Sequence, residues 1–495
     1  MPKNIFLFRR ASLALLLAAL AGFPLRAQAP PAVPPAPGPV EAVTTPPHPC
    51  KVPGVEEEVR CATYAVWENR EAKKGRKIGI NVVILPAKGP EKLPDPIFFF
   101  GGGPGEGIAG AAEGLAGDPA RQKRDIVLVD QRGTGRSNTL DCEFWGHPLD
   151  LRQAAVDSFP MDAVRACKAR LEKVADLRYY TTPLAIDDVD EIRAWLGYGK
   201  INLSGGSYGT RAAEVYHQRH PESVRTVTLI AVAPLDEYLP LHHAYAGQRA
   251  LDILLAECAA DAACHAAFPN VKEEIRKVME RVDQGVTVKV TNPVTHETQE
   301  VRPSHGLVAE GIRFLMYGQG GGALPLQIHQ AFEGNLTPLV QMSIERRLGI
   351  DETLAMGLLF SVTCAEDLPF IDDATAARET KGTILGDYRI RQQKEVCKVW
   401  PRGEIPTNLH TPVHSDVPVL LIAGERDPVT PPEFAERAKK YLSNSLLVLV
   451  PRGTHGGAGE CTDAMIRQFL DTASVKGIDT SCLQKLPPPR FVTGG

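Results

Sequence analysis

Short apolar runs recur along the chain at 78–85 (IGINVVIL), 97–100 (IFFF), 126–129 (IVLV), 200–203, 226–230, 417–422 and 446–450. They are rich in β-branched and aromatic residues and are four to eight residues long, which predicts strands. Between two of them, Ile186, Val189, Ile192 and Leu196 recur at helical spacing and Gly197 supplies a stop. A further helix is expected from about Ser207. Near-continuous apolar strands alternating with amphipathic helices predict a mostly parallel sheet with helices on both faces. From about Asp236 to Thr411 the alternation gives way to alanine- and leucine-rich helical stretches and a glycine run at 318–322. Strand patterning then resumes, so the expected architecture is an α/β core (50–235 and 412–495) interrupted by a helical cap (236–411).

The N-terminal segment changes where the fold is expected to begin. Lys3, Arg9 and Arg10 precede an apolar stretch from Ala11 to Phe23, and Ala27-Gln28-Ala29 follows it, the layout of a secretory signal peptide over 1–29. The stretch is shorter than the roughly 20 residues of a spanning helix, so no membrane span is expected after cleavage near Ala29. Residues 30–49 are dense in proline and alanine and read as a linker. In an exported chain an even cysteine count favours disulfides, and nearest-neighbour pairing gives Cys50–Cys61, Cys142–Cys167, Cys258–Cys264, Cys364–Cys397 and Cys461–Cys482. No zinc-ligand spacing is present. With 43% hydrophobic residues, 23% charged residues and a net charge of −4, the chain can bury a large interior and has no basic field for nucleic acid.

Glycine clusters after three of the strands carry the candidate chemistry. Gly105-Glu106-Gly107-Ile108-Ala109-Gly110 formally matches a dinucleotide fingerprint, with Asp130 ending the next strand. Its glycines start beyond the strand tip, however, and Pro104 lacks the N–H a pyrophosphate would need. Neither cluster is followed by the Gly-Lys-Ser/Thr of a phosphate loop. The stretch Gly205-Gly206-Ser207-Tyr208-Gly209 fits a nucleophile elbow instead, in which Ser207 stands on a tight strand-to-helix turn. A serine needs a base and an orienting acid. His455 and Asp427 each follow a later strand, in the order Ser, Asp, His, with Glu425 as the rival acid. Tyr208 N–H and Gly103 N–H are the expected oxyanion donors, each worth roughly 3 kcal/mol of barrier.

Together, Gly102-Gly103-Pro104-Gly105, the block Asp130-Gln131-Arg132-Gly133-Thr134-Gly135-Arg136-Ser137 and the Ser207 elbow resemble the prolyl and tripeptidyl aminopeptidase family of α/β-hydrolases. The segment around Asp427 and His455 is similar to the C-terminal region of secreted bacterial tripeptidyl aminopeptidases. The resemblance covers about Cys50 to Cys482 and is weakest in the cap. Where that family often has His-Gly-Gly-Pro-Gly, this chain has Gly101 in place of the histidine.

The resemblance implies an α/β-hydrolase fold and an exported serine exopeptidase that acts on peptides with free N-termini, without a cofactor or metal. It also implies that the Asp130 block braces the catalytic loops, with Arg132 and Arg136 as ion-pair partners. An exopeptidase needs an anion for the substrate ammonium, and Glu366 and Asp367 in the cap, beside Cys364, are the expected anchor. The same site could serve an esterase or amidase, and the scaffold also occurs in non-catalytic binding modules.

Overall fold

The computed structural model describes residues 42–145 and 149–494. The signal peptide expected over 1–29 and the first part of the proline-rich linker, 30–41, lie outside the described residues. Among the described residues nine strands form one sheet in the order β1-β2-β3-β5-β4-β6-β7-β10-β11. Their ranges are β1 Thr45–Cys50, β2 Val59–Trp67, β3 Lys77–Leu85, β4 Ile97–Phe100, β5 Ile126–Val129, β6 Ile201–Gly206, β7 Val224–Ile230, β10 Val419–Gly424 and β11 Ser445–Val450. The two remaining strands, β8 Val288–Thr291 and β9 Thr298–Val301, make a separate hairpin.

From β5 through β4, β6, β7, β10 and β11 every pairing is parallel. Of these, β4, β6 and β7 are buried along almost their whole length and β5 and β10 entirely, whereas β11, at the edge, is half-exposed. That burial is why they read as unbroken apolar runs. Ile186, Val189 and Ile192 of the helix Thr182–Trp195 are fully buried, and Gly197 stops the chain in a left-handed conformation.

Two features of the N-terminal edge differ from the sequence reading. The linker expected to reach residue 49 ends earlier, because Thr45–Cys50 pairs antiparallel with β2. Its three prolines suit an outer strand, whose free edge needs no N–H donors. The Cys50–Cys61 disulfide fastens it to β2. β2 itself mixes buried and half-exposed positions, so it lacks the apolar run that marks a central strand.

The inserted segment is helical from His243 to Cys397 except for the β8–β9 hairpin, which the helix-rich composition did not indicate. All ten cysteines are paired, each with its sequence neighbour, in five disulfides. Cap and core are stitched together close to the sheet's carboxyl edge. Ala355 N–H donates to Gly105 O at 3.0 Å, Arg249 Nη1 donates to Glu425 O at 2.7 Å, and Arg426 pairs with Glu257 at 2.8 Å. Among the described residues no helix is long and apolar enough to cross a membrane.

Candidate active site

Sheet register brings the candidate residues to one edge. Phe100 is level with Gly205, Gly206 with Ile230, Ile230 with Ile422, and Gly424 with Val450. The loops that carry Gly103, Ser207, Asp427 and His455 therefore all leave the same carboxyl edge, where ligands gather in parallel sheets.

Ser207 sits between β6 and the helix Tyr208–Arg219 with φ 56° and ψ −127°, a conformation that side-chain-bearing residues seldom adopt. Its N–H donates to Ile230 O, and its carbonyl accepts from Thr210 N–H and Thr210 Oγ1. The turn is this tight because of the glycines around it. A Cβ on Gly205 would stand 2.2 Å from Gly209 O, and one on Gly209 2.2 Å from Phe100 O. The helix that follows presents its N-terminal N–H groups, Tyr208 among them, beside the serine.

Asp427 is fully buried after β10. One carboxylate oxygen accepts from Val429 N–H and Thr430 N–H, and the other from Thr430 Oγ1. His455, after β11, directs Nδ1 at this carboxylate, 2.8 Å from Oδ2 and 3.0 Å from Oδ1. With Nδ1–H donating to Asp427, the Nε2 lone pair is left free to accept a proton. Glu425, the rival acid, instead accepts from Arg452 N–H.

The glycine loop lies against the elbow: a Cβ built on Gly102 would come within 3.7 Å of the Ser207 Cβ. Gly102 N–H is taken by Glu106 Oε2 at 2.7 Å, and Gly103, at φ 106°, is the exposed glycine of the pair. The Asp130 block lies underneath. The Asp130 carboxylate accepts from Asn81 Nδ2, Ala109 N–H and Arg136 N–H, tying the strand end to the glycine loop's exit. Arg132 is buried in a two-bond ion pair with Asp188, whereas the Arg136 side chain is exposed and forms no ion pair among the described residues.

The pair expected to hold a substrate ammonium is occupied from within. Glu366 and Asp367, at the end of a cap helix that is buried on every side, are both fully buried. Glu366 accepts from Thr182 N–H at 2.6 Å and Thr182 Oγ1 at 2.8 Å, and that hydroxyl is 2.6 Å from Tyr208 OH. Asp367 accepts from Arg211 Nη1 at 2.7 Å and Leu239 N–H. Burial pushes the Glu366 carboxyl up to about 7 and raises that of Asp367. These acids brace the elbow helix against the cap.

Two neighbours of the histidine escaped the sequence reading. Thr430, three residues after Asp427, holds the carboxylate and stands 3.3 Å from His455 Nδ1. Tyr317, from the cap, places its ring centroid 5.0 Å from that of His455. The Asp-x-x-Thr spacing of an Asx-type turn could have pointed to Thr430. Nothing local marks Tyr317, because its contact depends on how the cap closes over the core.

Two family models match the chain: one described as alpha/beta hydrolase fold over residues 95–258, and one described as TAP-like protein over residues 382–482. The first spans the glycine loop and the Ser207 elbow, the second Asp427 and His455, and both fall on the parallel sheet described above. The chain has the α/β-hydrolase fold.

Among relatives of this hydrolase, serine protease Hip1 of Mycobacterium tuberculosis is 28% identical over 442 residues, covering 80% of this chain and 81% of the relative. A tripeptidyl aminopeptidase of Streptomyces coelicolor is 24% identical over 405 residues, 74% of this chain and 71% of the relative. A proline iminopeptidase of Neisseria gonorrhoeae is 29% identical over 134 residues, 27% of this chain and 31% of the relative. The resemblance read from the motifs thus reappears in similarity to peptidases over 74% and 80% of the chain for the two longer matches.

Proposed function

We propose that this hydrolase is an exported serine exopeptidase that cleaves peptides at free N-termini through an acyl-enzyme. The observation that carries the reading is the buried Asp427 carboxylate, 2.8 Å from His455 Nδ1, at the same sheet edge as the strained Ser207 turn. In this mechanism His455 Nε2 takes the Ser207 hydroxyl proton as Oγ attacks the scissile carbonyl. Asp427 fixes the imidazole tautomer and stabilises the imidazolium. The oxyanion of the tetrahedral intermediate accepts from Tyr208 N–H and Gly103 N–H. His455 then gives its proton to the departing amine, and a water activated by the same imidazole hydrolyses the acyl-enzyme. Peptidase names among the relatives support peptide over ester substrates. The signal-peptide-like N-terminus and five disulfides support export.

Matched peptides of one to three residues with a chromogenic leaving group, free or N-acetylated, test the exopeptidase reading. The free forms should be cleaved at least about tenfold faster in kcat/KM, the scale of one charge-assisted contact to the ammonium. Cleavage of simple esters alone would replace this reading with an esterase, and cleavage of acetylated peptides alone with a peptidase that needs no free N-terminus.

A further inference from the structure

The ammonium that an exopeptidase must hold finds no partner in Glu366 and Asp367, which Thr182 and Arg211 already occupy. A different carboxylate stands beside the nucleophile. Glu106 belongs to the glycine loop, in Gly102-Gly103-Pro104-Gly105-Glu106-Gly107, and the hydrolytic machinery described above makes no use of its charge.

Local structure fixes where that carboxylate lies. The loop turns back on itself, with Glu106 N–H donating to Gly102 O at 3.3 Å, and Glu106 bridges antiparallel to Leu354 of the cap. Held on both sides, Glu106 folds its side chain toward Gly102, where Oε2 accepts from Gly102 N–H at 2.7 Å. A Cβ built on Gly102 would stand 3.2 Å from that oxygen and 3.7 Å from the Ser207 Cβ. The carboxylate and the nucleophile therefore flank a single glycine, both within 4 Å of the point a methyl group would occupy. Gly103 and Glu106 are exposed, and Gly102 and Ser207 are half-buried, so the face they share is open to a substrate.

Nothing in the described part of the chain neutralises this charge. Glu106 forms no ion pair among the described residues, and the donor its carboxylate does meet, Gly102 N–H, is uncharged. The next N–H along, that of Gly103, is the one expected to receive the oxyanion. A carboxylate beside it opposes the negative charge that develops on the carbonyl oxygen, and the opposition grows as a substrate displaces water from the cleft. The Glu106 charge therefore disfavours a neutral acyl group and favours one that brings a cation with it. In a peptide substrate that cation is the α-ammonium of an N-terminal residue, two bonds from the scissile carbonyl carbon. With three residues before the scissile bond, the ammonium lies two residues, roughly 7 Å, further off.

We propose that the Glu106 carboxylate receives the α-ammonium of the residue whose carbonyl Ser207 attacks, so that single N-terminal residues are released. The inference deepens the exopeptidase reading and rests on it.

The test uses the full chain and two acyl groups of nearly equal size, alanyl and propionyl, which differ in the ammonium. Each is made as a chromogenic anilide and as a phenyl ester. Wild-type kcat/KM for the alanyl anilide should exceed that for the propionyl anilide by about tenfold or more, the scale of one charge-assisted contact. Glu106→Gln keeps an oxygen for Gly102 N–H but removes the charge, and should bring that ratio close to one. Glu106→Asp, with the charge on a shorter arm, should restore part of it. Trialanyl anilide against its desamino counterpart should show no advantage that depends on Glu106.

A ratio near one in the wild type would overturn the subsite whether or not either variant folds. So would a ratio that survives E106Q, a Glu106-dependent advantage confined to the trialanyl pair, or an equal loss on alanyl and propionyl substrates, the mark of a merely structural role. The esters separate this inference from the peptidase reading. If they show the Glu106-dependent advantage while no anilide is cleaved, the subsite stands and the peptidase reading falls. If the anilides are cleaved without that advantage, the subsite falls alone. A chain that hydrolyses neither anilides nor esters overturns both.

Discussion

Ser207→Ala should abolish hydrolysis, lowering kcat by about 10⁵- to 10⁶-fold, while the protein still folds and binds substrate. The size of the effect follows from there being no other nucleophile in the arrangement. Without Oγ no acyl-enzyme forms, and what remains is the contribution of the oxyanion donors to direct attack by water. Alanine also suits the turn as well as serine does, because the unusual φ of 56° is enforced by the backbone contacts of Ser207 N–H and its carbonyl, not by the hydroxyl. Circular dichroism and the thermal midpoint should therefore match the wild type, and a variant retaining more than about one part in a thousand of the wild-type kcat would exclude Ser207 as the nucleophile.

Asp427→Asn should cost about 10⁴-fold in kcat with little change in KM. The carboxylate oxygen that accepts from Val429 and Thr430 N–H can be kept by the amide oxygen. The other oxygen becomes an NH₂ that now donates toward His455 Nδ1. The imidazole must then place its proton on Nε2, and the atom needed to receive the serine proton no longer can. Glu425→Gln gives the contrast. Its carboxylate accepts from Arg452 N–H and takes no part in the histidine contact, so kcat should change by less than about tenfold. Equal losses in the two variants would reopen the choice of acid.

The central sheet was legible in the sequence because strands buried on both faces leave nearly unbroken apolar runs, such as 97–100 and 419–424. The elbow was legible because a turn in which Gly205 and Gly209 touch backbone admits almost no other residue. What escaped notice lacks such a local cause. β1 carries three prolines and reads as a linker, yet as an edge strand held by Cys50–Cys61 it needs few donors. Glu366 and Asp367 were the expected ammonium anchor, and the fold brings Thr182 and Arg211 to them instead. Tyr317 has no local mark, because its contact with His455 depends on how the cap closes over the core. Residue types and spacing therefore identified the groups that share one sheet edge, and the contacts supplied by the cap required the fold.

Reaction with a fluorophosphonate, followed by peptide mapping, tests the proposed chemistry most directly. Such a reagent forms a stable adduct with a serine only where a base takes the hydroxyl proton and an oxyanion hole receives the phosphoryl oxygen. One adduct is expected, on the peptide containing Ser207, absent in S207A and strongly slowed in D427N. An adduct on another residue, labelling that persists in S207A, or a folded wild-type protein that takes up no reagent would contradict it.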